Sequence, residues 1–117
     1  MAEVRRPPAI EAYGGGGFRI EGVRHDGAVL ILADQVRSWS GDWTEASLAP
    51  VLGAAPSEVE VVILGSGAGL TPAPRPLRDA FRAAGLGLEV LTSIEGARLY
   101  NLLASDGRRV AAALRPV

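Results

Sequence analysis

An almost unbroken apolar run, VEVVIL at residues 59–64, constrains the fold of this chain more than any other segment. A strand with one solvent-facing side alternates polar and apolar residues, whereas a continuous run of β-branched and apolar residues is typical of a strand covered on both faces. Strands of that kind lie in parallel or mixed sheets with helices packed on them. At 117 residues the chain has the size of one domain. We therefore predict a single α/β domain.

The segments on either side of this run alternate between helical and extended periodicity. Apolar residues recur three and four positions apart, as on one face of a helix, at 47–55, 77–84 and 97–104. Alternating or continuous apolar patterns predict strands at 18–23, 28–33, 36–39, 88–91 and 109–114. We expect the strand at 88–91 to be buried and the HDG segment at 25–27 to form a hairpin turn. The order is a leading β-hairpin or meander followed by alternating helices and strands, which favours a mixed or parallel sheet, with the hairpin in a separate small sheet.

The first 17 residues differ in composition from the rest of the chain. They contain two adjacent prolines, and a run of four glycines at 14–17 that we do not expect in a regular element. We predict a flexible N-terminal lead-in at 1–17 and one domain at 18–117. The first ten residues lack the apolar core of a signal peptide, and no stretch approaches the roughly 18 apolar residues of a membrane span. We expect a cytoplasmic protein that is not an integral membrane protein.

Composition excludes several classes of chemistry. Cysteine is absent and there is a single histidine, so thiolate sites and zinc sites built on several imidazoles are excluded within one chain. Every cation is arginine, which excludes a P-loop lysine and a Schiff-base lysine. The formal net charge of −1 lacks the basic excess of a nucleic-acid binder. We expect no metal, no cofactor and no nucleic-acid partner.

The segment VVILGSGAGLTP at 61–72 places three glycines at alternate positions after the apolar run. A dinucleotide-binding fingerprint needs G-x-G-x-x-G opening directly into a helix, but its third glycine position is here occupied by Leu70. Three prolines in TPAPRP at 71–76 also separate the loop from the next helical pattern. The loop is better explained as a tight exit from a buried strand, where glycines permit positive φ and close packing.

A ligand-binding crevice at this edge of the sheet is the alternative. The strands at 59–64 and 88–91 both end there, and ligands of open α/β sheets bind outside the carboxyl ends of strands. The segment TSIE at 92–95 predicts a capping box, whose helix start would point its N–H groups to the same side. This hypothesis is a small-molecule or anion-binding domain whose site consists of Gly65, Ser66, Gly67, Gly69, Thr92, Ser93 and Arg98.

We predict no catalytic residue. A hydrolase that uses Ser66 and His25 would need a nucleophile elbow, G-x-S-x-G, and the first position of that motif around Ser66 is Leu64. We expect His25 to be a solvated residue of the predicted turn. The acidic residues show no spacing that suggests shared acid–base work.

An ordered set of segments resembles a known family. The C-terminal half contains LGSG, LRDAFRAAGLGLEVLTS, ARLYN and DGRRVAAAL, and the N-terminal half contains GGFRIEGVRHDGAVLIL and SLAPVLGAAP. Together these segments resemble the domain of unknown function 498 family, which has the Mth938-like fold and includes the mitochondrial complex I assembly factor 3. The resemblance covers roughly residues 16–114 and adds Tyr100 and Asn101 to the candidate crevice.

The resemblance implies a three-layer α/β fold with a mixed central β-sheet, no established catalytic activity and no known cofactor. It favours a non-enzymatic protein-interaction module, similar to a respiratory complex I assembly factor. The partners would be subunits of a respiratory complex or another assembly factor, and a homo-oligomer is also allowed. Where relatives often have Met-Asp-Thr and Thr-Tyr-Asn, this chain has Leu91-Thr92-Ser93 and Leu99-Tyr100-Asn101. The loss of these polar groups from the crevice weakens any catalytic interpretation.

Overall fold

The computed structural model describes residues 6–117, and within that range eight strands and three helices follow one another. In chain order the elements are β1 (Ile10–Gly14), β2 (Gly17–Ile20), β3 (Val23–Asp26), β4 (Val29–Leu32), β5 (Gln35–Ser38), α1 (Ala49–Leu52), β6 (Val61–Gly65), α2 (Arg75–Ala83), β7 (Gly87–Leu91), α3 (Ser93–Ser105) and β8 (Val110–Leu114).

Five strands form a mixed central sheet in the order β5-β4-β8-β6-β7. Strand β6 pairs parallel with β7 and β8, whereas β4 pairs antiparallel with β5 and β8. The last strand of the chain therefore lies at the centre of the sheet, and each of its five residues is buried. The predicted α/β class and the mixed sheet are confirmed.

Side chains of β6 point alternately into two hydrophobic cores, as the VEVVIL run predicts. Val62 and Leu64 pack in a core that includes residues of α1 and α2. Ile63 packs in a second core with residues of α3 and of the small sheet. The central sheet is thus the middle of three layers, with α1 and α2 on one face, and α3 and a second sheet on the other.

The second sheet consists of β1, β2 and β3 in that order, all antiparallel. A separate small sheet was predicted, but as a hairpin of the strands at 18–23 and 28–33, and the second of these strands is β4 of the central sheet. Regular structure begins at Ile10 rather than at Phe18, because Gly14, Gly15 and Gly16 adopt positive φ and turn β1 into β2. The prediction that the glycine run excludes a regular element was wrong. Residues 1–5 of the predicted lead-in lie outside the described residues.

The predicted hairpin turn at 25–27 was also wrong. The chain reverses at Glu21 and Gly22, which have φ values of 49° and 76°, and this turn splits the predicted strand at 18–23. His25 therefore lies in β3, opposite Phe18 of β2. Gly27 instead connects the small sheet to the central sheet.

Strand β7 was predicted to be buried, and this was wrong as well. It lies at the edge of the central sheet, where Gly87 and Glu89 are exposed and the other three residues are only partly buried. The helix predicted at 47–55 is shorter, with regular α-helix only at Ala49–Leu52. A neighbouring polar contact fixes the other end of β6: Glu60 accepts hydrogen bonds from Arg108 and, at 2.9 Å, from Arg109, which precede β8.

This contact predicts a specific acid sensitivity. The hydrogen bond from Arg108 and the charges of both arginines hold the pKa of Glu60 below its ordinary value. A carboxylate with a depressed folded-state pKa stabilises the fold above its unfolded pKa of about 4.3 and loses that contribution as the pH falls through the folded value. Urea unfolding of Glu60→Gln between pH 7 and pH 3 should therefore show a shallower loss of stability than the native chain. Glu45→Gln, at an exposed position, is the control, and an unchanged slope in Glu60→Gln would contradict the assignment.

Candidate functional site

The loop that leaves β6 and the first residue of α3 bind each other directly. The Gly67 N–H donates to Ser93 Oγ at 2.8 Å, and the Ser93 N–H donates to the Gly67 carbonyl at 2.9 Å. Ser93 is fully buried. Gly67 has a φ of 94°, which places its N–H and carbonyl in this arrangement. The predicted loop and the predicted helix start are thus in contact, and Gly67 and Ser93 satisfy each other's hydrogen bonds.

Gly65 permits this contact because there is no room for a side chain at its position. A Cβ would lie 2.7 Å from Leu114 Cδ2 and 2.9 Å from the Cα of Ser93. Gly96 lies one turn after Ser93 in α3 and is similarly confined, because a Cβ at its position would lie 3.1 Å from Ile63 Cγ2. The two glycines let α3 pack closely on β6, which agrees with the interpretation of the loop as a tight strand exit.

Ser66 organises the rest of the loop. Its hydroxyl donates to the Gly69 carbonyl at 2.6 Å and accepts from the Thr71 N–H at 3.2 Å, while its own N–H donates to the Leu91 carbonyl at 2.8 Å. The side chain is buried and committed to the loop backbone. It therefore serves to hold the turn between β6 and α2.

Thr92 is the N-cap of α3, as predicted. Its Oγ1 accepts from the Glu95 N–H at 3.3 Å, and Glu95 places a carboxylate in the first turn. Together with the Ser93 N–H bond to Gly67, this cap binds the Ser93 and Glu95 N–H groups of the helix start within the chain itself.

Replacement of the cap has a measurable consequence. Thr92→Ala should lower the free energy of unfolding by about 1 kcal/mol, the usual cost of losing a hydroxyl N-cap. Thr71→Ala, whose side chain lies on the exposed part of the loop, should leave it nearly unchanged. Equal unfolding midpoints in urea for Thr92→Ala and the native chain would contradict the capping role.

The remaining candidate residues lie farther along α3 and face β1 instead. The Asn101 side chain forms two hydrogen bonds with the backbone of Ile10: Oδ1 accepts from the Ile10 N–H at 2.9 Å, and Nδ2 donates to the Ile10 carbonyl at 2.8 Å. Arg98 donates to the Tyr13 hydroxyl at 3.2 Å, and Tyr100 is buried in the core shared with the small sheet. The residues of the predicted crevice therefore form two separate contacts. One joins the loop after β6 to the start of α3, and the other joins α3 to β1.

Sequence reasoning missed two grooves that flank Arg78 on the opposite face of the central sheet. One, of about 330 Å³, is lined by Leu70, Pro72, Ala73, Arg78 and Val90. The other, also of about 330 Å³, is lined by Arg78, Phe81, Arg82, Leu86 and Leu88. Leu70, at the end of the glycine loop, is 67% exposed. A lone leucine after a glycine loop was a weak signal in the sequence, because the other lining residues are spread over the rest of the loop, α2, β7 and the link between α2 and β7.

Among residues 6–117, His, Asp and Glu side chains form no group of three that would hold a metal ion. Over the same residues, none of the helices has the length and apolarity needed to cross a membrane.

A three-layer arrangement around a mixed sheet, with α3 joined to β6 through glycines, defines an Mth938-like α/β protein. The family model described as protein of unknown function, DUF498/DUF598, matches residues 10–115. The chain belongs to this family, as the resemblance indicated.

Individual relatives agree with this membership. The chain is 38% identical over 108 residues to an uncharacterized protein of Rhodobacter capsulatus, covering 92% of this chain and 84% of that protein. It is 28% identical over 111 residues to the rat (Rattus norvegicus) NADH dehydrogenase [ubiquinone] 1 alpha subcomplex assembly factor 3. That match covers 92% of this chain and only 60% of the rat protein.

Solved structures show the same fold. A crystal structure described as an outer membrane protein from Bartonella henselae is similar with a TM-score of 0.88 and 26% identity, over 95% of this chain and 96% of that chain. The structure of MT938 is similar with a TM-score of 0.63 and 18% identity, over 92% and 96% of the two chains. The second likeness shows the fold alone.

Proposed function

We propose that this protein is a non-enzymatic protein-interaction module that acts as an assembly factor for a respiratory complex. One observation carries the proposal: the hydroxyls of Ser66 and Ser93 and the N–H of Gly67 are hydrogen-bonded within the chain, while Leu70 at the end of that loop is 67% exposed. A site for a small anion needs N–H groups that are free to bind it. Leu70, Pro72, Ala73 and Val90 instead line one groove, and contiguous exposed apolar surface is a feature of sites that bind proteins.

The distant rat relative supports the finer part of the proposal. By its name, that protein is an assembly factor for the NADH dehydrogenase. The partners proposed for this chain are subunits of the corresponding respiratory complex or a second assembly factor. The predicted cytoplasmic location is part of the same proposal, with the protein acting at the membrane surface through its partners.

Affinity capture from native membranes tests this function. The tagged full-length chain should enrich subunits or assembly factors of the respiratory NADH dehydrogenase over the tag alone, as measured by quantitative mass spectrometry. Recovery of neither would contradict the proposal.

A ligand screen tests the rival, an anion-binding or small-molecule-binding domain. Thermal unfolding in the presence of nucleotides, inorganic phosphate and phosphorylated metabolites should show no stabilisation, because only a compound that binds the folded chain raises the unfolding temperature. A concentration-dependent increase that Ser93→Ala abolishes would favour the rival.

A further inference from the structure

We propose that the free edge of β7, together with Arg78 and Arg82 of α2, binds an extended acidic segment of a partner protein, which adds to the central sheet as a sixth strand. This inference rests on the proposed protein-interaction function and names the surface and the chemistry of the partner. Strand β7, Arg78 and Arg82 together form the β7 edge.

The backbone of β7 offers hydrogen-bonding groups on its outer side. The Gly87 N–H donates to the Glu60 carbonyl at 3.1 Å, and the Leu91 carbonyl accepts from the Ser66 N–H, so both residues face β6. Successive residues of a strand point their backbone groups in opposite directions. The N–H and C=O groups of Leu88 and Val90 therefore point away from the sheet, where no strand of residues 6–117 pairs with them. Such a row is a template for strand addition.

The two grooves lie beside these same residues. Leu88 lines one groove and Val90 lines the other, and Arg78 lies between the grooves because it lines both. A strand added to β7 would place alternate side chains next to Leu88 and Val90, on the α2 side of the sheet. Those side chains would enter the two grooves.

Charge determines which side chains fit there. Within the described part of the chain, neither Arg78 nor Arg82 forms an ion pair, whereas the neighbouring Arg75 lies 3.9 Å from Asp79. Two unpaired guanidinium groups at apolar grooves favour side chains with an aliphatic stem and a terminal carboxylate. On the opposite face of β7 the exposed Glu89 disfavours further acidic residues, so the intervening positions are neutral or basic.

A second copy of this chain fits the edge poorly. Antiparallel pairing of two β7 strands about a two-fold axis keeps α2 of both copies on the same face of the joined sheet. Arg78 and Arg82 would then face their own counterparts, and Glu89 would lie near its counterpart on the other face. Like charges in such positions are repulsive, so the partner is a different, acidic segment.

A pair of synthetic peptides tests the β7 edge on the full chain. A ten-residue peptide that alternates glutamate and valine should bind and slow amide hydrogen exchange at Leu88 and Val90 by about tenfold or more. A matched peptide that alternates lysine and valine should not bind. Exchange at these two amides that stays unchanged at saturating glutamate peptide, or a concentration-dependent dimer that forms through β7, would overturn the proposal.

A charge-reversed variant provides the second test of the β7 edge. The double variant Arg78→Glu, Arg82→Glu should lower the affinity for the glutamate peptide by about tenfold or more, since two exposed charge pairs are converted from attractive to repulsive. The same variant should bind the lysine peptide. Binding of the lysine peptide also shows that the variant is folded. Arg37→Glu, on the opposite edge strand β5, is the matched control and should leave both peptides as in the native chain. Equal binding of the glutamate peptide by the double variant would overturn the proposal.

The same variant separates this inference from the proposed function. If the native chain captures respiratory subunits and the Arg78→Glu, Arg82→Glu chain captures them equally well, the β7 edge is wrong and the proposed function stands. If the native chain captures none of them while the peptide results hold, the β7 edge stands and the respiratory role is wrong.

Discussion

Replacement of Gly65 by valine is expected to destabilise the fold by about 3 kcal/mol, and replacement by alanine by about 2 kcal/mol. The added Cβ would lie 2.7 Å from Leu114 Cδ2 and 2.9 Å from the Cα of Ser93. The second contact is with backbone at the start of α3, so it cannot be relieved by a side-chain rotation. Either α3 moves away from β6, or the reciprocal hydrogen bonds between Gly67 and Ser93 are lost.

Gly69→Ala is the matched control for this prediction. A Cβ at Gly69 meets no atom within 4 Å, although the residue belongs to the same loop. Its stability should remain within about 0.5 kcal/mol of the native value, as for most surface substitutions. Urea unfolding of the three variants gives the comparison, and a Gly65→Ala chain as stable as Gly69→Ala would show that the close approach is not required.

Asn101→Leu is expected to lower the free energy of unfolding by about 2 kcal/mol. The substitution removes two hydrogen bonds, each worth about 1 kcal/mol, and leaves the N–H and C=O of Ile10 without their partners. Because Asn101 acts as a substitute strand partner for β1, exchange of the Ile10 amide should accelerate more than exchange in β8.

Leu102→Gln is the control at the next position of α3. Leu102 is 64% exposed, so its replacement should change stability by no more than about 0.5 kcal/mol. An Asn101→Leu chain with native stability and native exchange at Ile10 would contradict the anchoring role.

Local patterns correctly predicted those elements whose burial or capping depends on residues that are close together in the sequence. The VEVVIL run predicted β6 and its two-sided burial, because residues 61–64 pack alternately against the two cores. The cap at Thr92 was predicted from a hydroxyl that lies three residues before Glu95. The central position of β8 was not predicted, since a short apolar run predicts a strand but does not determine which strands lie beside it.

The errors arose where distant segments determine the structure. Strand β1 was missed because the glycines that follow it were interpreted as an end of regular structure, whereas they form its turn into β2. The exposure of β7 follows from its place at the edge of the sheet, which periodicity does not encode.

Only part of the geometry of the candidate crevice could be predicted, again because some of its residues contact distant segments of the chain. Gly67 and Ser93 were placed together correctly because two strand ends and a helix start converge at one edge of the sheet. Asn101 was assigned to that crevice, yet it pairs with Ile10, 91 positions earlier in the chain. A partner that belongs to an unpredicted strand could not be derived from the spacing within α3.

An amide-resolved NMR titration tests most directly whether the glycine loop serves the fold while binding occurs elsewhere. The ¹⁵N-labelled chain is titrated with ATP and with inorganic phosphate, and the amides of Gly67, Ser93 and Glu95 are followed. If their hydrogen-bonding capacity is spent within the chain, these three signals stay in place up to millimolar ligand. Saturable shifts at Gly67 and Ser93 would contradict this account and assign the loop to a bound anion.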